Sequence, residues 1–305
     1  MTEIIVLTCA SGRACSPIIP LLYEESRYEL RLVVHSQSSR DRLKNRYPKA
    51  EVVQADFGIW ADCANVVAGA STVYYVGPPF DPGETHFGIN MVDAAVTESK
   101  KPGSRFAHFV FSSAVHPELT KMLHHDRKRY VEEYLTESML PYTILQPSNF
   151  TDLSMGPLIA QKDATKITHR ALFNPETAFS FTTLLDYAEA SVRVIRERSR
   201  HFYATYQTVS TLPMKYIDYL KSVAEVLGKE LEVQVVAFEQ SVEMMSEGSF
   251  GTSDAPQINK DGPERMLLYY NTRGLYSNPN ILEWLIGRPG TTPAQLARQI
   301  LDSEG

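Results

Sequence analysis

The first 150 residues alternate short apolar runs with helical patterns, and this alternation restricts the chain to a βαβ architecture. Six runs carry the strand signal, at residues 4–8, 30–35, 51–54, 72–76, 108–112 and 143–146. They are β-branched and aromatic, and most are apolar on both faces, as strands covered by helices on each side must be. Between them the spacing predicts helices near residues 40–47, 60–68, 87–99 and 121–138. Such a succession of strand and helix implies an α/β fold with a Rossmann-like, doubly wound parallel sheet over residues 1–150.

After Phe150 the rhythm weakens, and residues 151–305 are expected to form a smaller C-terminal α/β substrate lobe. A strand is expected at 179–182 and a helix at 186–198, with the stretch 179–200 returning to the first domain. An amphipathic helix over 215–227 is stopped by Gly228, and a strand follows at 231–236. Residues 248–262 are mostly polar and rich in Gly, Ser, Asp and Pro, the composition of a loop. Helices return at 263–270, 281–286 and 293–303.

Several function classes are disfavoured by charge and composition. A net charge of −6 over 305 residues argues against a nucleic-acid binder that works by neutralising phosphates. The basic run ending at Arg129 is followed at once by Glu132 and Glu133, which makes it a mixed helix face. No apolar run approaches membrane-spanning length. The segment before Ile4 holds an acid and no basic region, so it is expected to lead into a buried strand and not to be a signal peptide. Cys9, Cys15 and Cys63 lack metal-ligand spacing and an even count, and are expected to be reduced thiols in a cytoplasmic protein without a metal site.

The turn after the first strand runs from Thr8 to Cys15 and holds Ser11, Gly12 and Arg13. A dinucleotide site needs glycine there for a tight turn, for close approach to the pyrophosphate and for helix packing. Only Gly12 remains, with Cys9 and Cys15 at the outer positions. Pro20 lies where a helix would lose a backbone bond; a Ser16 cap with Pro17 at the first helical position would ease this and start the helix late. Backbone N–H groups at such a start can still hold an anion.

The end of the second strand selects the cofactor. An NAD-type site places an acid there for the ribose hydroxyls, whereas this chain has His35, Ser36, Gln37, Ser38, Ser39 and Arg40 before Asp41. Hydroxyls and a guanidinium suit a 2′-phosphate, with Arg13 assisting, so NADP(H) is favoured. The plainer reading, that Ser38 and Ser39 cap the next helix, is compatible with this. Asp56 and Phe57 follow the third strand, where a carboxylate and a ring would flank the adenine. Gly77, Pro78 and Pro79 follow the fourth and let backbone pass close to the cofactor.

His124 and Lys128 lie four residues apart and share one face of a helix. In a hydride-transfer site a lysine can hold the nicotinamide ribose while the residue at i−4 supplies a proton, and histidine can do so near neutral pH. A merely solvated face has the same spacing, and His125 beside His124 leaves the roles open. A zinc pair is disfavoured because no third ligand accompanies it.

Taken together, the chain resembles the NmrA-like family of atypical short-chain dehydrogenases/reductases, particularly a group common in filamentous fungi. The resemblance spans nearly the whole length. It rests on the turn Thr8 to Cys15, Val73-Tyr74-Tyr75-Val76-Gly77-Pro78, His108-Phe109-Val110-Phe111-Ser112-Ser113, the helix from His124 through Lys128 to Leu135, Tyr142-Thr143-Ile144-Leu145-Gln146-Pro147, Gly274-Leu275, and Trp284-Leu285-Ile286-Gly287-Arg288. The family implies a Rossmann domain with a small C-terminal lobe and a cleft between them. It includes reductases of enones, quinones, imines and iminium ions, and regulators that bind dinucleotide without turning it over. In related dehydrogenases the pair is Tyr-x3-Lys; here His124 takes the tyrosine position and Lys128 the lysine position. Ser113 lies near the usual serine, with Ser112 and Ala114 as alternatives. Pro147, Ser148, Asn149 and Phe150 match a segment that runs beside the nicotinamide.

The resemblance implies an NADPH-dependent reductase of a small conjugated or iminium-type molecule, with secondary metabolism as its expected setting. Lys128 would fix the ribose, His124 or a water would deliver the proton, and Phe80, Phe150, Met155 and Phe179 would contact substrate. The alternatives are a non-catalytic NADP(H) sensor that docks a regulatory protein partner, and a non-redox cyclase or isomerase built on the same cleft.

Overall fold

The computed structural model describes residues 2–304. Two compact units emerge. The first comprises residues up to Glu118, His124–Gln146 and Ala188–Tyr206; the second comprises Leu119–Leu123, Pro147–Tyr187 and the chain from Gln207 onward.

The first unit opens with β1 (Glu3–Leu7), α1 (Ile18–Tyr23), β2 (Tyr28–Val34), α2 (Gln37–Arg46), β3 (Glu51–Gln54), α3 (Trp60–Val67) and β4 (Thr72–Val76). It continues through α4 (Glu84–Ser99), β5 (His108–Ser112), α5 (Leu123–Glu137) and β6 (Tyr142–Gln146). The strands predicted from apolar runs are all present, with ends shifted by no more than two residues. The chain then passes through β7 (Asn149–Phe150), α6 (Asp152–Ile159), β8 (Lys166–Ala171), β9 (Ala178–Phe179), β10 (Phe181–Thr182) and α7 (Leu184–Glu197) to β11 (Ala204–Gln207). The seven-stranded sheet has the order β11-β6-β5-β4-β1-β2-β3, and β1 to β6 pair in parallel throughout. This is the Rossmann-like doubly wound sheet. Its order reverses at β1, so the loops after β1 and β4 leave the sheet side by side.

One face of the sheet packs on an apolar core that includes Val6, Val33, Tyr75, Phe109, Phe111 and Val131. The Tyr75 ring stacks on Phe111 with centroids 5.7 Å apart. Each such burial contributes roughly 1.5–3 kcal/mol. One polar chain threads the interior: Thr143 donates its hydroxyl to the His201 carbonyl at 2.5 Å, so that hydroxyl accepts from His108 Nε2–H at 2.8 Å. His108 Nδ1 is then a bare lone pair, buried without a partner.

The second unit adds β12 (Met214–Lys215), α8 (Tyr216–Leu227), β13 (Glu230–Val235), α9 (Phe238–Phe250), α10 (Gln257–Tyr270), α11 (Asn280–Ile286) and α12 (Pro293–Glu304). β8 pairs with β13 in parallel over six residues, from Lys166 opposite Glu230 to Ala171 opposite Val235. Gly228 ends α8 in the left-handed conformation, φ 63°. Buried Asp186 accepts from the Thr291 N–H at 2.7 Å, the Thr291 hydroxyl at 2.7 Å and Arg288 at 2.8 Å. These bonds hold its carboxyl below the usual aspartate value against the opposing effect of burial, and tie α7 to the segment before α12.

Three local expectations are corrected. The polar stretch 248–262 is not one loop: α9 runs to Phe250, Gly251 caps it at φ 74°, and α10 starts at Gln257 after Pro256. Its breakers mark helix ends, and Pro263 is accommodated within α10. Ser16 does not cap α1, because Pro17 occupies the N-cap with no side-chain bond and the helix starts at Ile18. Pro20 therefore falls in the first turn, where backbone N–H groups have no intrahelical partner to lose. Ser36, not Ser38 or Ser39, caps α2, its hydroxyl accepting from the Ser39 N–H at 3.3 Å.

Candidate functional site

The candidate site is built from loops at the carboxyl ends of the parallel strands in the first unit. Thr8, fully buried, staples β1 to β4: its hydroxyl accepts from the Val76 N–H at 2.7 Å and donates to the Val76 carbonyl at 3.0 Å. The turn that follows is pinned by the Ala10 N–H to the Val33 carbonyl at 2.9 Å and closed by the Gly12 N–H to the Cys9 carbonyl at 2.7 Å. A Cβ on Gly12 would meet that carbonyl at 3.0 Å, so a side chain there would require the turn's backbone to give by a few tenths of an ångström. Cys9 is held at φ 46°, the left-handed region that glycine occupies without penalty. Ser11 is half-buried and Arg13 exposed.

Beyond β2, His35 and Ser36 are exposed, and the His35 carbonyl accepts from Gln54 at 2.9 Å. Arg40 and Arg13 form no ion pair among the described residues and carry guanidinium charge available to an anion. Asp56 is exposed and its carboxylate accepts from the Gly58 N–H at 2.8 Å. Phe57 packs edge-on against Tyr75.

After β4 the chain passes through Gly77, Pro78 and Pro79 to Phe80, which sits at φ 66° with its carbonyl accepting from Arg127 at 3.0 Å. The Phe80 ring lies 4.7 Å from the ring of His124. Gly77 is closely surrounded: a Cβ there would stand 3.3 Å from the Tyr75 hydroxyl and 3.5 Å from Glu84 Cγ.

Helix α5 presents His124, Lys128 and Glu132 in one row, each four residues from the next. His124 is buried, and burial, His125 and Arg127 all hold its imidazole well below the ordinary histidine value. It is neutral at pH 7 and holds no second proton to deliver. His125 is turned away, its Nδ1–H donating to the His116 carbonyl at 3.1 Å. Lys128, 8% exposed, donates to the carboxylate of Glu84, itself 2% exposed. Burial pushes the Lys128 ammonium down to about 8, with Cys9 and Glu132 acting in the opposite sense; the Glu84 carboxylate in contact also favours the charged form. Glu132 accepts from Gln146 at 2.9 and 3.1 Å. The Ser113 hydroxyl approaches the same carboxylate closely enough to lower its pKa, without closing a well-formed bond. Burial outweighs both and raises Glu132 above the usual range.

Glu84, Glu132, Gln146 and Tyr75 were not anticipated from the sequence. Glu132 stands four residues beyond Lys128, a spacing that was available to find it. Glu84 had no such signal, since nothing local marks a carboxylate at a helix start as facing a lysine 44 positions away.

This row is short of hydrogen bonds. Glu84 Oε2, the Tyr75 hydroxyl, the Ser113 hydroxyl and His124 Nδ1 are all buried without a partner. Each such group costs about 1–3 kcal/mol, more for a charged one; Glu84 and the Tyr75 hydroxyl lie beside Gly77, as a site that receives a polar ligand requires. A dinucleotide fits on these grounds: hydroxyl-rich riboses would meet the unpartnered atoms. Among the described residues no group of three His, Cys, Asp or Glu side chains is placed to hold a metal ion, and no helix is long and apolar enough to cross a membrane.

The other anticipated residues lie in the second unit. Asn149 accepts from the Tyr270 hydroxyl at 2.7 Å. Phe150 is half-buried, packed edge-on against Tyr187. Met155 and Phe179 are fully buried in the core of that unit, Phe179 against Phe173 and Tyr270. Pro147 precedes Ser148, whose N–H donates to the Thr182 hydroxyl at 3.0 Å.

The chain belongs to a family described as NAD(P)H-binding, whose model matches residues 9–172. No curated protein matches its sequence. Among solved structures it is similar to the NADPH-dependent quinone oxidoreductase QOR2 of Escherichia coli, crystallised with NADPH, at 19% identity and a TM-score of 0.74 over 98% of this chain and 100% of that one. It is similar to the triphenylmethane reductase of Citrobacter sp., crystallised with NADP(H), at 20% identity and a TM-score of 0.75 over 97% and 99%. It is also similar to NmrA, a negative transcriptional regulator, at 15% identity and a TM-score of 0.75 over 100% and 97%. At these identities the likeness is one of fold.

Proposed function

We propose that the protein is an NADPH-dependent reductase of a small conjugated or iminium-type molecule, of the fungal NmrA-like type, acting in the cytoplasm and in secondary metabolism. The observation that carries this reading is the buried Lys128 among polar groups that lack partners, in a chain of an NAD(P)H-binding family. The loop from Thr8 through Ser11, Gly12 and Arg13 would receive the pyrophosphate. Ser36 and Arg40 would hold a 2′-phosphate, with His35, Asp56 and Phe57 around the adenine, and Gly77, Pro78 and Pro79 along the nicotinamide half. The bound cofactor would supply the hydride. Lys128 orients the ribose, and Phe80 with His124 offers an aromatic shelf to a planar acceptor. Because His124 is neutral, the accompanying proton comes from water, with Ser113 as its hydrogen-bonding neighbour. Phe80, which keeps exposed surface, would contact the acceptor, while Met155 and Phe179 are fully buried within the second unit.

A sensor of NADP(H) that docks a regulatory partner is the second reading. It is favoured by the neutral His124, which stands where a catalytic tyrosine would donate.

The test is a titration of wild-type protein and Lys128→Ala with NADPH and NADH, followed by cofactor fluorescence, then turnover with quinones, enones and iminium ions. A reductase binds NADPH in preference to NADH and oxidises it with one of these acceptors, and Lys128→Ala weakens binding or abolishes turnover. Binding with no turnover on any acceptor transfers the assignment to the sensor. Full activity of Lys128→Ala removes Lys128 from the site.

A further inference from the structure

We propose that Glu84 is a positioning residue of the dinucleotide site, fixing Lys128 through one carboxylate oxygen and presenting the other to a ribose hydroxyl of the bound cofactor. The inference rests on the dinucleotide reading above and adds to it a residue with no counterpart in the sequence argument.

Four observations converge. Glu84 opens α4 directly beyond the turn after β4, and it is almost fully buried. Its Oε1 accepts from Lys128 Nζ, which fixes the lysine side chain across the space between α4 and α5. Its Oε2 is buried and has no partner, although an ionised carboxylate beside an ammonium is the strongest acceptor in that neighbourhood. Gly77 lies over it: a Cβ there would stand 3.6 Å from Oε1 and 3.3 Å from the unpartnered Tyr75 hydroxyl. A ligand passing along the Gly77 backbone would therefore find, within one side-chain length, an acceptor in Glu84 and donors in Lys128 and Tyr75. A vicinal diol matches that set, because each hydroxyl can donate and accept.

The pairing also sets the charge state of Lys128. The titratable groups facing it are Glu84 from α4, Cys9 from the turn after β1, Tyr75 from β4, and His124 and Glu132 from its own helix. The Cys9 thiol is pushed up to about 11 and the Tyr75 phenol well above its ordinary value, both chiefly by burial. His124 is neutral. Of the groups that favour the ammonium, Cys9, Glu132 and Glu84, Glu84 alone touches it. Replacing Glu84 by glutamine keeps the shape and an acceptor but removes that charge.

The experiment compares wild-type protein, Glu84→Gln and Glu84→Asp in two measurements. In the absence of cofactor, the Lys128 ¹³Cε resonance is titrated from pH 6 to 10. In the second, NADPH binding is followed by fluorescence and calorimetry across the same range. In Glu84→Gln the Lys128 titration moves to lower pH by about one unit or more, so that roughly tenfold more lysine is neutral at a pH below both midpoints. NADPH affinity falls about tenfold at pH 7, and its decline with pH begins correspondingly earlier. Glu84→Asp restores part of both. An unchanged Lys128 titration, or NADPH binding equal to wild type at every pH, overturns the proposal. Tighter binding in Glu84→Gln also overturns it, since Glu84 would then be competing with the cofactor for Lys128. If wild-type protein binds neither dinucleotide, the dinucleotide reading fails and this inference with it. If wild-type protein binds and Glu84→Gln matches it, Glu84 alone is excluded.

Discussion

Lowering the pH from 7.5 to 5.0 is expected to cost this fold about 4 kcal/mol through two buried histidines. Burial, with smaller contributions from Arg198 and His201, holds His108 down to about 3. Burial holds His125 down to about 4, against a carbonyl bond from His116 that favours the charged form. In the unfolded chain both titrate near 6.5. The unfolded state therefore takes up protons first, so each histidine's stabilisation is complete above about pH 6.5 and is lost as the pH falls toward the folded value. At pH 5.0 the loss is about 2 kcal/mol per histidine, and His124 adds to it in the same direction. The geometry at His108 gives the reason: Nε2–H is committed to Thr143, and a proton on Nδ1 would have no acceptor. Urea unfolding at both pH values checks the slope, and His108→Gln isolates one contribution, since the glutamine amide can replace the Nε2–H donor without titrating. Carboxylates that are raised by burial, such as Glu132 and Asp152, act oppositely but cancel in the difference between the two proteins. The gap between wild type and His108→Gln should narrow or invert by about 2 kcal/mol between pH 7.5 and 5.0. A gap that does not move with pH refutes a neutral, unprotonatable His108.

Two further predictions concern the cofactor loops. Arg40→Ala should weaken NADPH binding by roughly 10- to 100-fold, the loss of one charge-assisted contact, and leave NADH nearly unchanged in the same titration. Equal losses for both dinucleotides would remove Arg40 from 2′-phosphate recognition. Cys9→Gly relieves a left-handed cysteine at φ 46°, a conformation costing about 1 kcal/mol for an L-residue, and should tighten NADPH several-fold as measured by calorimetry; unchanged or weaker binding would show that the thiol is not an obstacle.

The legible part of this chain was whatever repeats locally. Strands that are apolar on both faces reveal a parallel sheet because their burial is two-sided, and β1 to β6 appear in sequence within two residues of where they stand. His124 and Lys128 were legible for the same reason, a spacing of four on one helix. β8 was missed because Lys166, Thr168, His169 and Arg170 break its apolar alternation; its partner β13 supplies the pairing 64 residues later, beyond any local window. α9 and the first turns of α10, before Pro263, were hidden by the reverse error. Gly251 and Pro256 are breakers, but breakers that end one helix and admit another spell a loop of six residues, not fifteen.

Glu84 belongs to a different class of omission. Its importance lies in what it faces, and that depends on α4 and α5 being packed together, with Gly88 so close to Val131 that a Cβ would stand 2.5 Å from the valine Cγ2. That contact demands a glycine on α4, and the same close packing lets a carboxylate at the start of the helix reach a lysine on its neighbour. The two facts are coupled: a larger residue at Gly88 would push the helices apart, lengthen the Glu84–Lys128 contact and leave two opposite charges buried separately, which costs much more than either burial with its partner present. The cofactor site and the helix packing beneath it are therefore one structural problem, and the glycine that solves it lies a full helical turn away from any residue that would touch the ligand.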